Sequence, residues 1–172
     1  MRRSNLQSHT DTNDLVTTRP KATPYEPERN QKTIEKLVDG FARNAVDDIM
    51  DCFAEGATYH DVRGIPPSGA IYRGKATIEK LFIEQFRLLG DHTYENPVIM
   101  ANNHSGFARW TLVLGATEDT RALRFDGSDH FLFDENGLCT AKTAWLKGQQ
   151  HLARYLFRRR PFLTLREQFK GK

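Results

Sequence analysis

Gly127-Ser128-Asp129-His130-Phe131-Leu132-Phe133-Asp134-Glu135-Asn136-Gly137, with Leu138 to Leu146 behind it, is the stretch that decides the fold. An apolar run meets residues that tolerate positive φ and then returns as a second run, which predicts an antiparallel hairpin. Side chains alternate along a strand, so Asp129, Phe131 and Phe133 share one face. A carboxylate among phenylalanines needs a partner or holds its proton, because an unpaired charge in a low dielectric is strongly disfavoured. The ordinary fate of a lone aspartate is a strand end facing water or an arginine, and the hairpin alone does not choose between the two.

Upstream of the hairpin, Tyr94 to Ala101, Phe107 to Ala116 and Arg121 to Phe133 read as strands. Asn102-Asn103-His104-Ser105-Gly106 and Thr117-Glu118-Asp119-Thr120 join them, and turns this short imply antiparallel neighbours. Helices come first. Ile34, Leu37, Val38 and Phe41 form one helical stripe between Glu28 and about Asn44, and Val46, Ile49, Met50 and Phe53 form a shorter one with Asp47, Asp48 and Asp51 on its wet side. Ala57 to Val62 leans toward strand, and Arg63 to Gly74, with Pro66-Pro67-Ser68-Gly69, reads as a loop. Lys75 to Leu89 gives a third amphipathic helix through Ile78, Leu81, Phe82, Gln85, Phe86 and Leu89, ended by Gly90. Helices followed by a meander make an α+β domain whose sheet can curl around the helices and leave a pocket.

The 172 residues suit one domain with tails. Residues 1–29 are polar, with almost no large apolar side chains, and are expected to be a disordered leader. Residues 30–147 form the domain, with 13 basic and 17 acidic residues, and residues 148–172 are a tail with seven basic residues and one acidic. Within that tail Leu152, Tyr155 and Leu156 fit a short amphipathic helix stopped by Pro161, docking on the domain or on a partner subunit; one cluster of arginines does not point to nucleic acid. Cys52 and Cys139 lie in apolar segments with no metal or disulfide spacing and read as small core residues in a reducing compartment. No apolar run approaches the roughly 20 residues needed to span a bilayer, and none follows Arg2 and Arg3 as in a secretory signal, so a cytoplasmic location is expected. No glycine loop of the phosphate-binding kind is visible, so neither cofactor nor metal is expected.

Asp61 is the second acid in an apolar strand. It shares a face with Tyr59, two residues earlier, as Asp129 does with Phe131. If both acids face one pocket, their surroundings can push the two pKa values apart, leaving one as base and one as hydrogen-bond donor. That pair suits abstraction of a proton beside a carbonyl, with the donor stabilising the enolate oxygen.

Phe53-Ala54-Glu55-Gly56-Ala57-Thr58-Tyr59-His60-Asp61, then Pro66-Pro67, then Tyr72-Arg73-Gly74-Lys75-Ala76 opening a helix, resembles the nuclear transport factor 2-like superfamily. Within it the chain is most similar to the ketosteroid isomerase and SnoaL-like polyketide cyclase branch, and the Ser128 to Phe133 strand with its Asn136-Gly137 turn resembles that family's late hairpin. The resemblance covers roughly residues 30–147. It implies a cone-shaped, curved antiparallel sheet packed on three N-terminal helices, a deep apolar cavity, and a homodimer through the outer sheet face. It also implies Asp61 as general base and Asp129 as protonated acid of the oxyanion hole, the division of labour known for ketosteroid isomerase. The family's oxyanion-hole tyrosine falls at Leu37, which cannot donate a hydrogen bond. That departure points to a different substrate or a different donor, for which Tyr59 and Tyr72 are possible phenols.

Tyr59, Trp110, Leu112, Leu114, Phe131, Lys142, Leu146, Leu37 and Phe86 are expected to line the cavity around a small hydrophobic substrate. Lys142 shares a strand face with Ala144 and Leu146, so it is either a buried cation paired with Asp129 or Asp61, or a surface lysine on a sheet edge. His60 and His130 point away from the acids that neighbour them. The expected activity is cofactor-independent acid/base chemistry by an isomerase, cyclase or dehydratase on a polycyclic or polyketide-like carbonyl compound. The alternatives are a non-catalytic binding or assembly module, and an epoxide hydrolase-like site in which Arg109 or Arg124 supplies the cation of an Asp-Arg-Asp arrangement.

Overall fold

A computed structural model describes residues 27–64, 69–115 and 122–159. The elements run α1 (Pro27–Arg43), α2 (Val46–Met50), β1 (Phe53–Asp61), β2 (Ala70–Arg73), α3 (Lys75–Leu89), β3 (His92–Ala101), β4 (Ser105–Leu114), β5 (Leu123–Phe133), β6 (Cys139–Leu146) and α4 (Gln149–Arg159). Six strands form one open sheet in the order β2-β1-β6-β5-β4-β3. Helix α1 starts at Pro27, inside the stretch expected to be leader, with proline in the first turn where its missing N–H costs nothing. The rest of that leader lies outside the described residues.

Helices α1 and α3 press their apolar stripes onto one face of the sheet. Ile34, Leu37 and Phe41 of α1 and Ile78, Phe82, Phe86 and Leu89 of α3 are buried against Phe53, Ala57, Tyr59, Ala108, Phe125, Phe131 and Phe133. Burial of each such large side chain contributes about 1.5–3 kcal/mol. Four aromatic rings mark the centre: Phe82 meets Phe41 edge-on at 5.1 Å and Tyr59 at 5.3 Å, and Phe41 meets Phe86 at 5.9 Å.

The hairpin forms as its residues dictate. Asp134 Oδ1 accepts the backbone N–H of Asn136 and of Leu138, each at 2.9 Å, and Gly137 takes φ +78°. Strands β3, β4, β5 and β6 then follow as antiparallel neighbours.

Two features depart from the local pattern. Ala70–Arg73, expected to be loop, is an edge strand paired antiparallel to β1, with Tyr59 opposite Tyr72 and His60 opposite Ile71. The Ala70 N–H donates to the Arg63 carbonyl at 2.5 Å where the two strands meet. In addition, β1 lies parallel to β6, the one parallel pairing among the described residues, because the long excursion through β2, α3 and three further strands brings β6 back beside the first strand. Pro97 is tolerated in β3 because that strand is an edge, and Asn96, at φ +51°, sits in a bulge beside it.

Candidate active site

Strand pairing places the two acids. Asp129 sits directly opposite Ala144 across β5 and β6, and Asp61 follows next after the His60–Thr143 pair of β1 and β6. Ala144 therefore stands between two carboxylates whose backbones are one strand apart, about 9–10 Å. All three side chains face the helices. Asp61 and Asp129 are only 3% and 4% exposed, and Lys142, one pleat along β6 from Ala144, is 3% exposed.

At Asp129 the partners come from neighbouring strands. Lys142 Nζ donates to Oδ1 at 2.5 Å and Trp110 Nε1 donates to Oδ2 at 2.9 Å. Gly127 makes the second contact possible. It lies opposite Trp110 in the ladder, and a Cβ placed there would collide with the indole. Without a side chain at 127 the ring lies over the backbone and its N–H reaches Asp129. The Lys142 ammonium also sits over the rings of Tyr59 (4.8 Å), Phe41 (5.1 Å) and Phe131 (5.8 Å), which offer their negative faces to the cation. Of the two sequence readings of Lys142, the buried cation paired with Asp129 is the one the structure contains. Both oxygens of Asp129 are thus engaged by protein donors, one by Lys142 and one by Trp110.

Asp61 is held differently. Its Oδ2 accepts from Arg63 Nε at 2.8 Å and from Arg63 Nη2, and its Oδ1 accepts the Arg63 backbone N–H at 3.0 Å. Burial alone lowers the Arg63 pKa, but the hydrogen bond and charge of Asp61 outweigh it and hold the guanidinium above its ordinary value. The cation beside Asp61 is thus neither Arg109 nor Arg124. Both of those point to the outer face, where Arg124 pairs with Glu95. Arg63 escaped the sequence reading because it follows the strand in what read as featureless loop; its spacing of two from Asp61 is the signal that could have found it.

One apolar pocket joins the two pairs. Tyr59, Trp110, Leu112, Lys142 and Leu146 line it as expected, together with Asp61 and Asp129. Leu37, Leu114, Phe86 and Phe131 do not. Leu37 and Leu114 are fully buried in the core, Phe86 stacks on His92 at 5.8 Å, and Phe131 lies under the Lys142 ammonium. Sharing a strand or helix face with a cavity residue does not give access to the cavity when a helix packs over that part of the face. Phe41, Tyr94, Gln85 and Leu88 were missed; Tyr94 follows from its pairing with Leu112, which only the register supplies. Burial raises the Tyr59 phenol well above its ordinary value, with the charges of Asp61 and Asp129 adding to the effect, and burial plus Asp129 raises Tyr94. Both phenols are neutral donors at ordinary pH. His60 and His130 lie on the outer face with Thr143 between them. Among the described residues no group of three or more His, Cys, Asp or Glu could hold a metal ion, and no helix is long and apolar enough to cross a membrane.

The basic tail supplies part of the pocket wall. Leu152 and Leu156 of α4 line it, and Leu152 is buried. Of the two docking sites open to the tail from sequence, the domain itself is the one seen here; Pro161 and Phe162 lie outside the described residues.

No curated protein sequence matches the chain. Solved structures do. A protein of Xanthomonas campestris assigned as a polyketide cyclase superposes with a TM-score of 0.60 at 16% identity, over 74% of this chain and 96% of that one. A protein of Kribbella flavida assigned as a ketosteroid isomerase gives 0.56 at 20% identity, over 73% and 88%. An epoxide hydrolase/cyclase-like enzyme of pyran ring formation in the polyether salinomycin gives 0.58 at 15% identity, over 71% and 93%. At these identities the likeness is one of fold. The family model for SnoaL-like domains matches residues 34–142, from the first core residue of α1 to the buried lysine of β6. This chain therefore belongs to the SnoaL-like domain family, within the nuclear transport factor 2-like superfamily.

Proposed function

We propose that the pocket is a cofactor-independent acid/base site acting on a small apolar carbonyl compound, as an isomerase, cyclase or dehydratase. One observation carries this reading: Asp61, Asp129 and Lys142, three nearly inaccessible ionisable side chains, all stand on the wall of a single apolar pocket. Burying charges is expensive, and placing them at a cavity rather than at the surface favours chemistry there. Asp61 is the base. Its Oδ1 carries only a backbone hydrogen bond, and a shift of the Arg63 side chain at the mouth exposes the carboxylate. Lys142 is the electrostatic partner that stabilises an enolate oxygen. Asp129, Trp110 and three ring faces position its ammonium, so Asp129 acts through Lys142 rather than by giving up a proton.

The test is proton exchange in heavy water with a panel of cyclic and open-chain ketones, read by mass spectrometry. Wild-type protein is expected to exchange α-protons of at least one ketone, and Asp61→Asn to slow this by about 10²–10⁴-fold. Equal rates in the two proteins remove Asp61 from the role of base. Saturable ketone binding without exchange selects the second reading, a ligand-binding module, which is favoured by the fact that each carboxylate already meets its own cation. In either case we infer a homodimer through the outer sheet face, where Ile71, Val98, Met100, Leu132 and Trp145 are exposed, with the mass in solution as its check. The two buried free cysteines fit a reducing, cytoplasmic location.

A further inference from the structure

We propose that α4 is a displaceable lid, and that the ligand is an amphipathic carbonyl compound whose apolar body leaves the pocket along the path Leu152 and Leu156 now fill. The inference rests on the pocket reading above. Behind α4 the cavity offers about 70 Å³. An apolar cavity of ~150 Å³ takes up benzene, and ligand pockets usually reach ~300 Å³ or more. A ring or chain with a carbonyl group therefore does not fit beneath the closed helix, although the polar wall is already assembled there.

The construction of α4 suits movement. It joins β6 through Lys147 and Gly148 alone, and Gly148 has φ +80°, a conformation only glycine adopts freely. Its apolar side chains Leu152, Tyr155 and Leu156 pack inward while Gln150, His151, Ala153 and Arg154 are exposed, so it can lift without unpairing a strand. The side chain of Gln149 donates to the Val62 carbonyl, between Asp61 and Arg63. Gln149 is thus a latch. It ties the first turn of the lid to the segment that covers the proposed base, and lifting α4 frees that segment as the ligand enters. The leucines leave an apolar channel above a polar floor, which defines the ligand: one carbonyl end at Lys142 and Asp61, and an apolar body under α4.

Gln149→Ala tests the lid because Gln149 does not line the pocket. The readout is stopped-flow binding of phenylnaphthylamine, an uncharged three-ring fluorophore, to the full chain. Raising the open fraction of a closed lid strengthens apparent binding in proportion. Gln149→Ala and Leu152→Ala/Leu156→Ala are each expected to speed association by about tenfold, a 1.4 kcal/mol change in opening. Hydrogen exchange should stay slow in β4 and β5 and quicken in α4. Methyl ketones should compete with the probe about fourfold better per added methylene, at about 0.8 kcal/mol per buried CH₂. Unchanged or slower association in both variants, with slow exchange in α4, overturns the lid; a flat chain-length response overturns the ligand class. Ala144→Leu, which fills the floor between Asp61 and Asp129, separates the two levels. If it abolishes probe binding, the pocket reading stands whatever the lid variants do; if it leaves binding unchanged, the probe binds elsewhere and both readings fall.

Discussion

Asp61 and Asp129 each meet one cation on the wall of the same pocket, yet the two pairs are built on different scales. Arg63 is two residues from Asp61, and its side chain is 35% exposed at the mouth. Lys142 is thirteen residues from Asp129, on the next strand, with its side chain 4% exposed under three aromatic rings. A local pair whose arginine is partly exposed can open by rotation of that one side chain, with water taking the place of the lost contact. The inner pair can open only by leaving a charge in a dry core. This difference supports the proposed division of labour, with Asp61 as the acid that a substrate could reach and Asp129 as support for the Lys142 cation.

The largest effect should come from breaking the inner pair alone. Lys142→Met leaves Asp129 buried with only the indole N–H, and a buried ion pair broken on one side costs about 3–5 kcal/mol. Replacing both, as Asp129→Asn/Lys142→Met, should recover most of that loss in denaturant titration, because the amide still accepts from Trp110. A double variant as unstable as the single one would make the aromatic cage, not the charge, the stabilising element. Gly127→Ala acts on the same pair from outside. The added methyl collides with the indole, so overpacking should cost about 1–3 kcal/mol, and the buried Trp110 emission should shift as Nε1 leaves Asp129.

Tyrosine titration reads the two acids separately. Burial, Asp61 and Asp129 raise the Tyr59 phenol, whereas burial and Asp129 raise Tyr94. Phenols whose folded pKa lies above the unfolded value of 10.0 contribute stability that is fully present below that pH. The contribution is lost as pH rises through the folded values, since the folded state then holds protons that the unfolded state has released. Cys139, pushed up to about 12 mainly by burial, adds a decline that starts near its unfolded value of 9.0. Stability measured against pH should therefore fall on the alkaline side. Asp61→Asn should lower the titration of Tyr59 and leave Tyr94 in place, while Asp129→Asn should move both. If Asp61→Asn shifts Tyr94 as well, the two acids form one electrostatic unit rather than two.

The outer and inner pairs also mark where sequence stops being informative. The β5–β6 hairpin and the α3 limits Lys75 and Leu89 follow from period and turn chemistry, which act within a few residues, whereas period alone leaves Lys142 open between a buried cation and a surface lysine. Pairing of Lys142 with Asp129 needs the hairpin register, and the hairpin is short enough for parity to suggest it. Nothing local foretells the parallel contact of β1 with β6, which sets Asp61 beside Ala144, because it joins segments about eighty residues apart. Tyr94 and the closure by Leu152 and Leu156 are long-range in the same way. Leu37, Leu114, Phe86 and Phe131 were placed on the wall by family position or face, but wall and core share a face and differ only in what packs over them.

The smallest expected change is at the mouth, and it tests the comparison most directly. Arg63→Gln removes the guanidinium but keeps the backbone N–H that binds Asp61 Oδ1. Only the arginine side of this pair is partly exposed (35%, against 2% for the Asp61 side chain), but water entering where the guanidinium leaves solvates the carboxylate, so the loss should be smaller than for the pair that is dry on both sides. Denaturant midpoints should therefore move little, while Asp61 becomes open to solvent. A water-soluble carbodiimide with an amine nucleophile, followed by peptide mass analysis, should then label Asp61 in Arg63→Gln far more than in wild type and leave Asp129 unlabelled in both. Loss of stability as large as that of Lys142→Met, with Asp61 still unlabelled, would place Asp61 in as dry a setting as Asp129. The proposed base would then have no route to a substrate except through the proposed movement of α4, whose Gln149 is hydrogen-bonded to the same segment.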